Sequence, residues 1–229
     1  MAHAALHIVL VCALLSTPAI AHEHRASAFL APAPLCPDYD VLMSLYNSTQ
    51  GREWTRSHNW GSADCCNVTT GWYGLNCDSA NRVTMITLPD NNLVGPFPEV
   101  LTKLARLTVL NLALNKLTGA LPPTIAQWTE LEALTLFSNN MTGALPPCFA
   151  SFSRLQTLEL FSNKFSGAFP SGVGLLANLT TMWVNDNQFS SIDAAMPQPR
   201  SLFACDLSAN PLRCPMPAWA GSTCGAVCS

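Results

Sequence analysis

Acidic and histidine side chains in this chain form no arrangement typical of an enzyme. Glu159 and Asp206 occupy equivalent positions in two segments of a repeated sequence pattern. They could therefore form a carboxylate pair like those that hydrolyse glycosidic bonds. Two strands apart in a sheet they would be separated by about 9–10 Å, on an open surface that does not exclude water. The histidines after residue 21 are His22, His24 and His58, which leaves no Ser/His/Asp or Cys/His arrangement. We therefore predict that the chain is not an enzyme.

Two groups of residues could bind a metal ion. If cleavage occurs after Ala21, the chain starts with His22-Glu23-His24, and an N-terminal amine with a third-position His can enclose Cu(II) or Ni(II) in square-planar nitrogen. The plainer interpretation of this segment is a disordered tail. Clustered cysteines could bind zinc, but the sequence has no Cys-x-x-Cys pair and no His near the C-terminal cysteines. We predict no metal site and no cofactor.

A repeated apolar frame determines where Glu159 and Asp206 are placed. The frame is Leu-x-x-Leu-x-Leu-x-x-Asn-x-Leu, and its asparagine recurs every 24 residues, with a last interval of 23: Asn91, Asn115, Asn139, Asn163, Asn187 and Asn210. A period of roughly 20–29 residues with this spacing is the leucine-rich-repeat signature. We predict a leucine-rich-repeat solenoid of about six repeats, with a parallel concave β-sheet and caps stapled by disulfides at both ends.

The frame also predicts which side chains face outward from the sheet. Because neighbouring strands are about 4.8 Å apart, Phe137 and Phe161 should lie side by side, with Trp183 diagonal to them. Aromatic residues on a rigid surface with a few charges are typical of a protein or sugar contact. The predicted partner-binding residues are Thr135, Phe137, Glu159, Phe161, Trp183, Asn185, Asp186 and Asp206. The plainer alternative is that the phenylalanines only cover each other and the acids are solvated.

Composition changes divide the chain into segments. Residues 1–21 look like a signal peptide, because the apolar run from Leu6 to Leu15 is too short to span a bilayer and Ala19-Ile20-Ala21 fits a cleavage site; the alternative is a buried N-terminal helix. We predict a linker at 22–35, an N-terminal cap at 36–82, repeats one to five at 83–201, and repeat six with a C-terminal cap at 202–229. No later stretch is long and apolar enough to span a membrane.

The distribution of the cysteines agrees with export to an oxidising compartment. Cys12 leaves with the signal peptide, four cysteines precede the repeats and four follow them, as expected of stapled caps. The predicted disulfide cysteines are Cys36, Cys65, Cys66, Cys77, Cys205, Cys214, Cys224 and Cys228. For the last four, three pairings are open. Cys148 lies apart in the middle of the chain, either buried and inert or exposed and able to link two chains into a dimer.

Four Asn-x-Ser/Thr sequons predict glycosylation, and none of them falls at an outward sheet position. Their asparagines are Asn47, Asn67, Asn140 and Asn178. A net charge of −3 with only 11% charged residues argues against binding to nucleic acid. We predict a secreted, extracellular glycoprotein that could also associate with a cell surface.

The sequence around the repeats resembles two families. The Gly-x-Leu/Phe-Pro segments, with Asp64-Cys65-Cys66 and Gly71-Trp72-Tyr73-Gly74-Leu75-Asn76-Cys77 before them, resemble plant-type extracellular leucine-rich-repeat proteins: receptor-kinase ectodomains and polygalacturonase-inhibiting proteins. Cys214-Pro215-Met216-Pro217-Ala218-Trp219 is also similar to the terminus of kinetoplastid surface-antigen proteins. The resemblance covers residues 36–229. Similarity to the plant inhibitors implies disulfides Cys36–Cys65 and Cys66–Cys77.

These observations predict a recognition protein. We expect it to bind an extracellular protein or polysaccharide through its concave face, as a surface antigen or recognition protein would. Two alternatives stay open from the sequence: an inhibitor of a secreted polysaccharide-degrading enzyme, and a structural coat or adhesion component.

Overall fold

A computed structural model of the protein describes residues 36–67 and 69–228. The predicted signal peptide at 1–21 and linker at 22–35, with the His22-Glu23-His24 segment, lie outside these residues. Within the described part, no helix is both long enough and apolar enough to cross a membrane.

The first half of each repeat contributes one strand to a sheet of seven. Six strands run parallel, one per repeat: β2 (Val83–Thr87), β4 (Val109–Asn111), β6 (Ala133–Thr135), β8 (Thr157–Glu159), β10 (Thr181–Trp183) and β12 (Ala204–Asp206). Equivalent residues pair in register, such as Thr135 with Glu159. The solenoid prediction is confirmed, with one addition. The cap supplies β1 (Leu75–Cys77), which pairs with β2 antiparallel and makes the sheet not wholly parallel.

A second sheet, which the repeat pattern did not predict, is formed by strands that alternate along the chain with those of the first sheet. It has five parallel strands: β3 (Val94–Pro96), β5 (Lys116–Gly119), β7 (Asn140–Gly143), β9 (Lys164–Phe169) and β11 (Gln188–Ile192). Gly143 has a φ of 80°, and a Cβ there would lie only 2.9 Å from Ala120 of the preceding repeat. Glycine is therefore needed both for the left-handed backbone and for close stacking.

The remainder of each repeat forms a short turn of 3-10 helix on the convex side, as at Pro123–Gln127 and Pro147–Ser151. Ile125 and Phe149 belong to these turns and are fully buried. The indole of Trp128 is also buried, and its Nε1–H donates a hydrogen bond to the Leu101 carbonyl at 3.1 Å. One apolar cluster thus runs continuously through the array.

The recurring asparagines join adjacent repeats by hydrogen bonds. The side-chain amide of Asn139 donates to the Leu112 and Leu136 carbonyls, both at 3.0 Å, and its oxygen accepts the Leu117 N–H at 2.9 Å. Leu112 and Leu117 belong to the preceding repeat, so one side chain satisfies buried backbone groups of two coils. The same pattern recurs at Asn115, Asn163, Asn187 and Asn210.

The N-terminal cap is attached to the first repeat through polar groups as well as through its core. Helix α1 spans Tyr39–Ser48, and the buried Asp38 precedes it. The Asp38 carboxylate binds Arg82 at 2.8 Å and accepts the Val83 N–H at 2.8 Å. The hydrogen bond from Arg82 to Asp38 raises the pKa of the guanidinium above its ordinary value.

Asn91, at the start of the asparagine series, binds the cap where its successors bind a preceding repeat. Its oxygen accepts the Arg56 N–H at 2.6 Å, and its amide donates to the Arg56 carbonyl at 3.0 Å. The backbone of Arg56 therefore takes the place that a repeat would occupy.

All eight predicted disulfide cysteines are paired. Cys36–Cys65 and Cys66–Cys77 form as the plant-inhibitor resemblance implied. At the other end the pairs are Cys205–Cys224 and Cys214–Cys228, which settles the three open pairings. The first of these fastens helix α2 (Ala218–Cys224) to β12.

Cys148 is fully buried on the convex side, with its Sγ 3.4 Å from the Pro123 carbonyl oxygen. This position favours the first of its two predicted states, a buried and inert thiol. A disulfide-linked dimer through Cys148 would require the convex turns to open, because the sulfur does not reach the surface of this fold.

Candidate functional site

One row of side chains crosses the first sheet from end to end. Strand pairing places the fifth residue of every repeat in the same row: Thr87, Asn111, Thr135, Glu159, Trp183 and Asp206. Glu159 and Asp206 lie two strands apart, as predicted, and Trp183 stands between them in the row.

The aromatic arrangement expected from the repeat frame is present. Phe137 and Phe161 stack with ring centroids 4.4 Å apart and planes 8° from parallel. Trp183 lies next along, with its ring 6.0 Å from that of Phe161 and tilted by 54°. The two phenylalanines are half-buried, whereas Trp183 is 41% exposed. The stack covers one face of each phenylalanine ring, so the plainer alternative explains the Phe137–Phe161 contact but not the exposure of Trp183.

Thr135 does not belong to this surface. We predicted it as a partner-binding residue, but it is only 7% exposed. Its short side chain sits in the row between Asn111 and Glu159, which are both longer, so its neighbours shield it from solvent. Strand alternation gives the direction of a side chain, while exposure also depends on the size of the residues beside it.

A groove of about 530 Å³ opens at the C-terminal end of the aromatic group. It is lined by Phe161, Trp183, Asn185, Phe203, Ala204, Cys205, Asp206 and Thr223. The predicted residues Phe161, Trp183, Asn185 and Asp206 therefore meet in one place. Glu159 is next to Trp183 in the row. Asp186 is exposed and follows Asn185.

Phe203 and Thr223 belong to the groove but were not predicted. Phe203 is 92% exposed. It occupies the second position of the repeat frame, where the other five repeats have Thr84, Thr108, Glu132, Gln156 and Thr180. An apolar residue in an otherwise polar column was the sequence signal that could have identified it. Thr223 comes from α2, and its place depends on the Cys205–Cys224 disulfide, whose pairing the sequence left open.

Three carboxylates at or near the groove have unused hydrogen-bonding capacity. Asp206 accepts the Ser208 N–H at 2.8 Å through one oxygen. Within the described chain, the carboxylates of Glu159 and Asp186 have neither a hydrogen bond nor an ion pair. The site can therefore accept several hydrogen bonds from a bound group.

The asparagines of all four sequons are exposed and lie away from the row. Asn140 begins β7 of the second sheet, and the Asn178 amide donates to the Ser153 carbonyl at 2.7 Å on the opposite flank. Asn47 is on α1, and Asn67 is in the cap. Glycans at these positions would leave the groove open.

Comparison with known proteins shows that this chain is similar to plant-type leucine-rich-repeat proteins. A family model described as "Leucine rich repeat" matches residues 81–141. A probable leucine-rich repeat receptor-like protein kinase of Arabidopsis thaliana is 38% identical over 69 residues, covering 30% of this chain. The chain spans only 7% of the length of that kinase.

Solved structures match over most of the chain. The BIR2 ectodomain from Arabidopsis thaliana has a TM-score of 0.68 and 26% identity, covering 80% of this chain and 98% of that one. A chain of the BIR3–SERK2 complex from Arabidopsis thaliana has a TM-score of 0.61 and 28% identity, covering 77% and 95%. The predicted resemblance to receptor-kinase ectodomains is thereby confirmed. These similarities and the disulfides agree with an extracellular location.

Proposed function

We propose that this chain, a leucine-rich-repeat array with the architecture of plant receptor-kinase ectodomains, is a secreted recognition glycoprotein that binds an extracellular protein partner. The binding surface is the concave face of repeats three to six. The observation that carries this proposal is the groove in which Trp183 and Phe203 stay exposed beside the Phe137–Phe161 stack.

The composition and rigidity of this surface support binding to a protein. Exposed aromatic residues contribute most of the binding energy in many interfaces, since each covers a large area with few rotatable bonds. Trp183 is on a strand held in register on both sides, and α2 is tied to the neighbouring strand by a disulfide. A partner would therefore meet a surface that needs little ordering.

The similar proteins support a protein partner in preference to a polysaccharide. One of the matching chains comes from a complex of two proteins, BIR3 and SERK2. The carboxylates around the groove also disfavour acidic polysaccharides, because like charges repel.

The test uses the mature glycosylated chain to capture a partner from its own extracellular fluid, followed by mass spectrometry and affinity measurement with the purified partner. Phe161→Ala and Trp183→Ala should each weaken binding by about 30-fold, which corresponds to the loss of an interface hot spot of about 2 kcal/mol. Leu175→Ala is the matched control, because Leu175 is 45% exposed on a convex turn. If both aromatic variants bind the partner like the Leu175 control, the concave face is not the binding surface, as expected of a structural coat component.

A further inference from the structure

We infer that the groove binds a cationic side chain, specifically an arginine on an extended segment of the partner. This inference rests on the proposed function and adds the chemistry of the ligand. Three aromatic side chains and one carboxylate line the groove, and the outward repeat positions around it hold acidic residues but no Lys or Arg.

The charge pattern of the outward columns is one-sided. Positions two, three, five, seven and eight of the six repeats contain five acidic residues and neither Lys nor Arg. The acids are Asp90, Glu132, Glu159, Asp186 and Asp206. Lys116 and Lys164 come later in their repeats and begin strands of the second sheet. A surface with this pattern attracts cations and repels anions during encounter.

The geometry of the groove suits a guanidinium group. Phe161 and Trp183 have ring centroids 6.0 Å apart and line the groove together with Phe203. A planar cation can stack against such rings, and Arg does so better than Lys. Asp206 lines the same groove and is next to Trp183 in the row. Its carboxylate can form the paired hydrogen bonds that a guanidinium offers.

The acids near the groove are not held by ion pairs among the described residues, and Asp206 accepts only the Ser208 N–H, through one oxygen. The Glu159 and Asp186 carboxylates are unpaired in the described residues, and neither is held by a neighbouring Lys or Arg. This contrasts with the flank of the solenoid, where Glu130 binds Arg106 at 2.7 Å. The concave acids are therefore available for an ion pair with a ligand, while the flank acids are already neutralised.

The size of the groove limits what can enter it. A volume of about 530 Å³ holds one long side chain with its adjoining backbone, and not a folded domain. A neutral sugar could also stack on Trp183 and Phe203, but it would gain nothing from the concentration of negative charge.

The experiment is a titration of the ¹⁵N-labelled mature protein, monitored by NMR through the indole N–H resonance of Trp183. Trp183→Phe assigns that resonance among the six tryptophans. Three probes are used: the peptide acetyl-Gly-Gly-Arg-Gly-Gly-amide, the same peptide with neutral citrulline in place of arginine, and the neutral sugar chitohexaose. We expect the arginine peptide to shift the Trp183 resonance saturably and to bind at least about tenfold more tightly than the citrulline peptide. The affinity of the arginine peptide should fall as the salt concentration is raised.

Two variants test the role of the carboxylates. Glu159→Gln together with Asp206→Ser should remove the preference for arginine over citrulline, while Asp90→Asn, a charge loss at the opposite end of the same face, should keep it. The other indole resonances report whether each variant is folded.

The outcomes separate this inference from the proposed function. Equal binding of the arginine and citrulline peptides, a Trp183 shift with chitohexaose alone, or no shift with any probe would each overturn the arginine site. The proposed protein partner is judged independently, by the loss of the captured partner in Phe161→Ala.

Discussion

At the scale of single residues, the asparagine series has the most concentrated effect on stability. Each internal asparagine serves two buried carbonyls and one buried N–H with a single amide, so its removal leaves several polar groups without partners at once. A polar residue recurs inside an apolar frame because no apolar side chain of the same size could satisfy these groups.

Asn139→Ala should lower the free energy of unfolding by about 3 kcal/mol, because unsatisfied buried groups cost about 1–3 kcal/mol each. Denaturant unfolding followed by circular dichroism measures the change. Asn111→Ala is the control, since the Asn111 side chain accepts a single local N–H, that of Ala113, at 3.1 Å. It should cost no more than about 1 kcal/mol. Equal losses in the two variants would mean that the inter-repeat bonds contribute little.

Residue type also marks the limit of sequence-based prediction at this scale. The frame placed Phe137, Phe161 and Trp183 together correctly, because strand period and strand spacing are fixed quantities. It was wrong about the exposure of Thr135, which depends on how far the neighbouring side chains extend. It missed Phe203, which lies one residue outside the columns that strand alternation identifies.

At the scale of elements, the two caps close the array by different means. The C-terminal cap is held by two disulfides and by hydrogen bonds to backbone groups, such as that from Trp219 Nε1 to the Met196 carbonyl at 2.9 Å. The N-terminal cap combines two disulfides with the Asp38 carboxylate, which joins α1 to β2 through Arg82 and Val83. Terminal repeats of a solenoid expose their apolar face unless a cap covers it, so the attachment of each cap matters for the whole array.

Asp38→Ala should destabilise the protein by about 2–3 kcal/mol, since it leaves the buried Val83 N–H without an acceptor and the Arg82 guanidinium without its ion pair. Because Arg82 is partly exposed, water recovers some of the lost interaction. Asp40→Ala, an exposed change two residues along in the first turn of α1, should cost only about 0.5 kcal/mol. Thermal unfolding of both variants measures this difference, and a comparable loss from Asp40→Ala would argue against a specific role for the Asp38 clamp.

The second sheet shows why some elements escape prediction. Segments such as Lys116–Gly119 are only four residues long and end in Gly, which is rare in strands, so their polar-apolar alternation is too short to identify a strand. They become strands because the first sheet stacks equivalent backbones side by side, so their pairing follows from the array as a whole. The C-terminal disulfides likewise depend on the path of the chain between residues 205 and 228, which cysteine spacing alone does not determine.

At the scale of the whole molecule, stacking turns separate residues into one surface. Residues about 24 positions apart in sequence become neighbours in a row, and a groove forms where repeats five and six meet the C-terminal cap. The sequons and the second sheet lie elsewhere, so one side of the solenoid remains available for a partner.

The central claim, that the partner binds in the concave groove, can be tested most directly by placing a glycan there. Asp206→Asn creates an Asn-Leu-Ser sequon with Leu207 and Ser208 in the groove, whereas Gln127→Asn creates an Asn-Trp-Thr sequon on an exposed convex turn. Asp206→Asn combined with Ser208→Ala removes the charge without adding a sugar. Once mass spectrometry has verified glycan occupancy, the captured partner should no longer bind the Asp206→Asn glycoform but should bind the Gln127→Asn glycoform normally. Its affinity for the double variant should lie in between. Undiminished binding to the Asp206→Asn glycoform would contradict it.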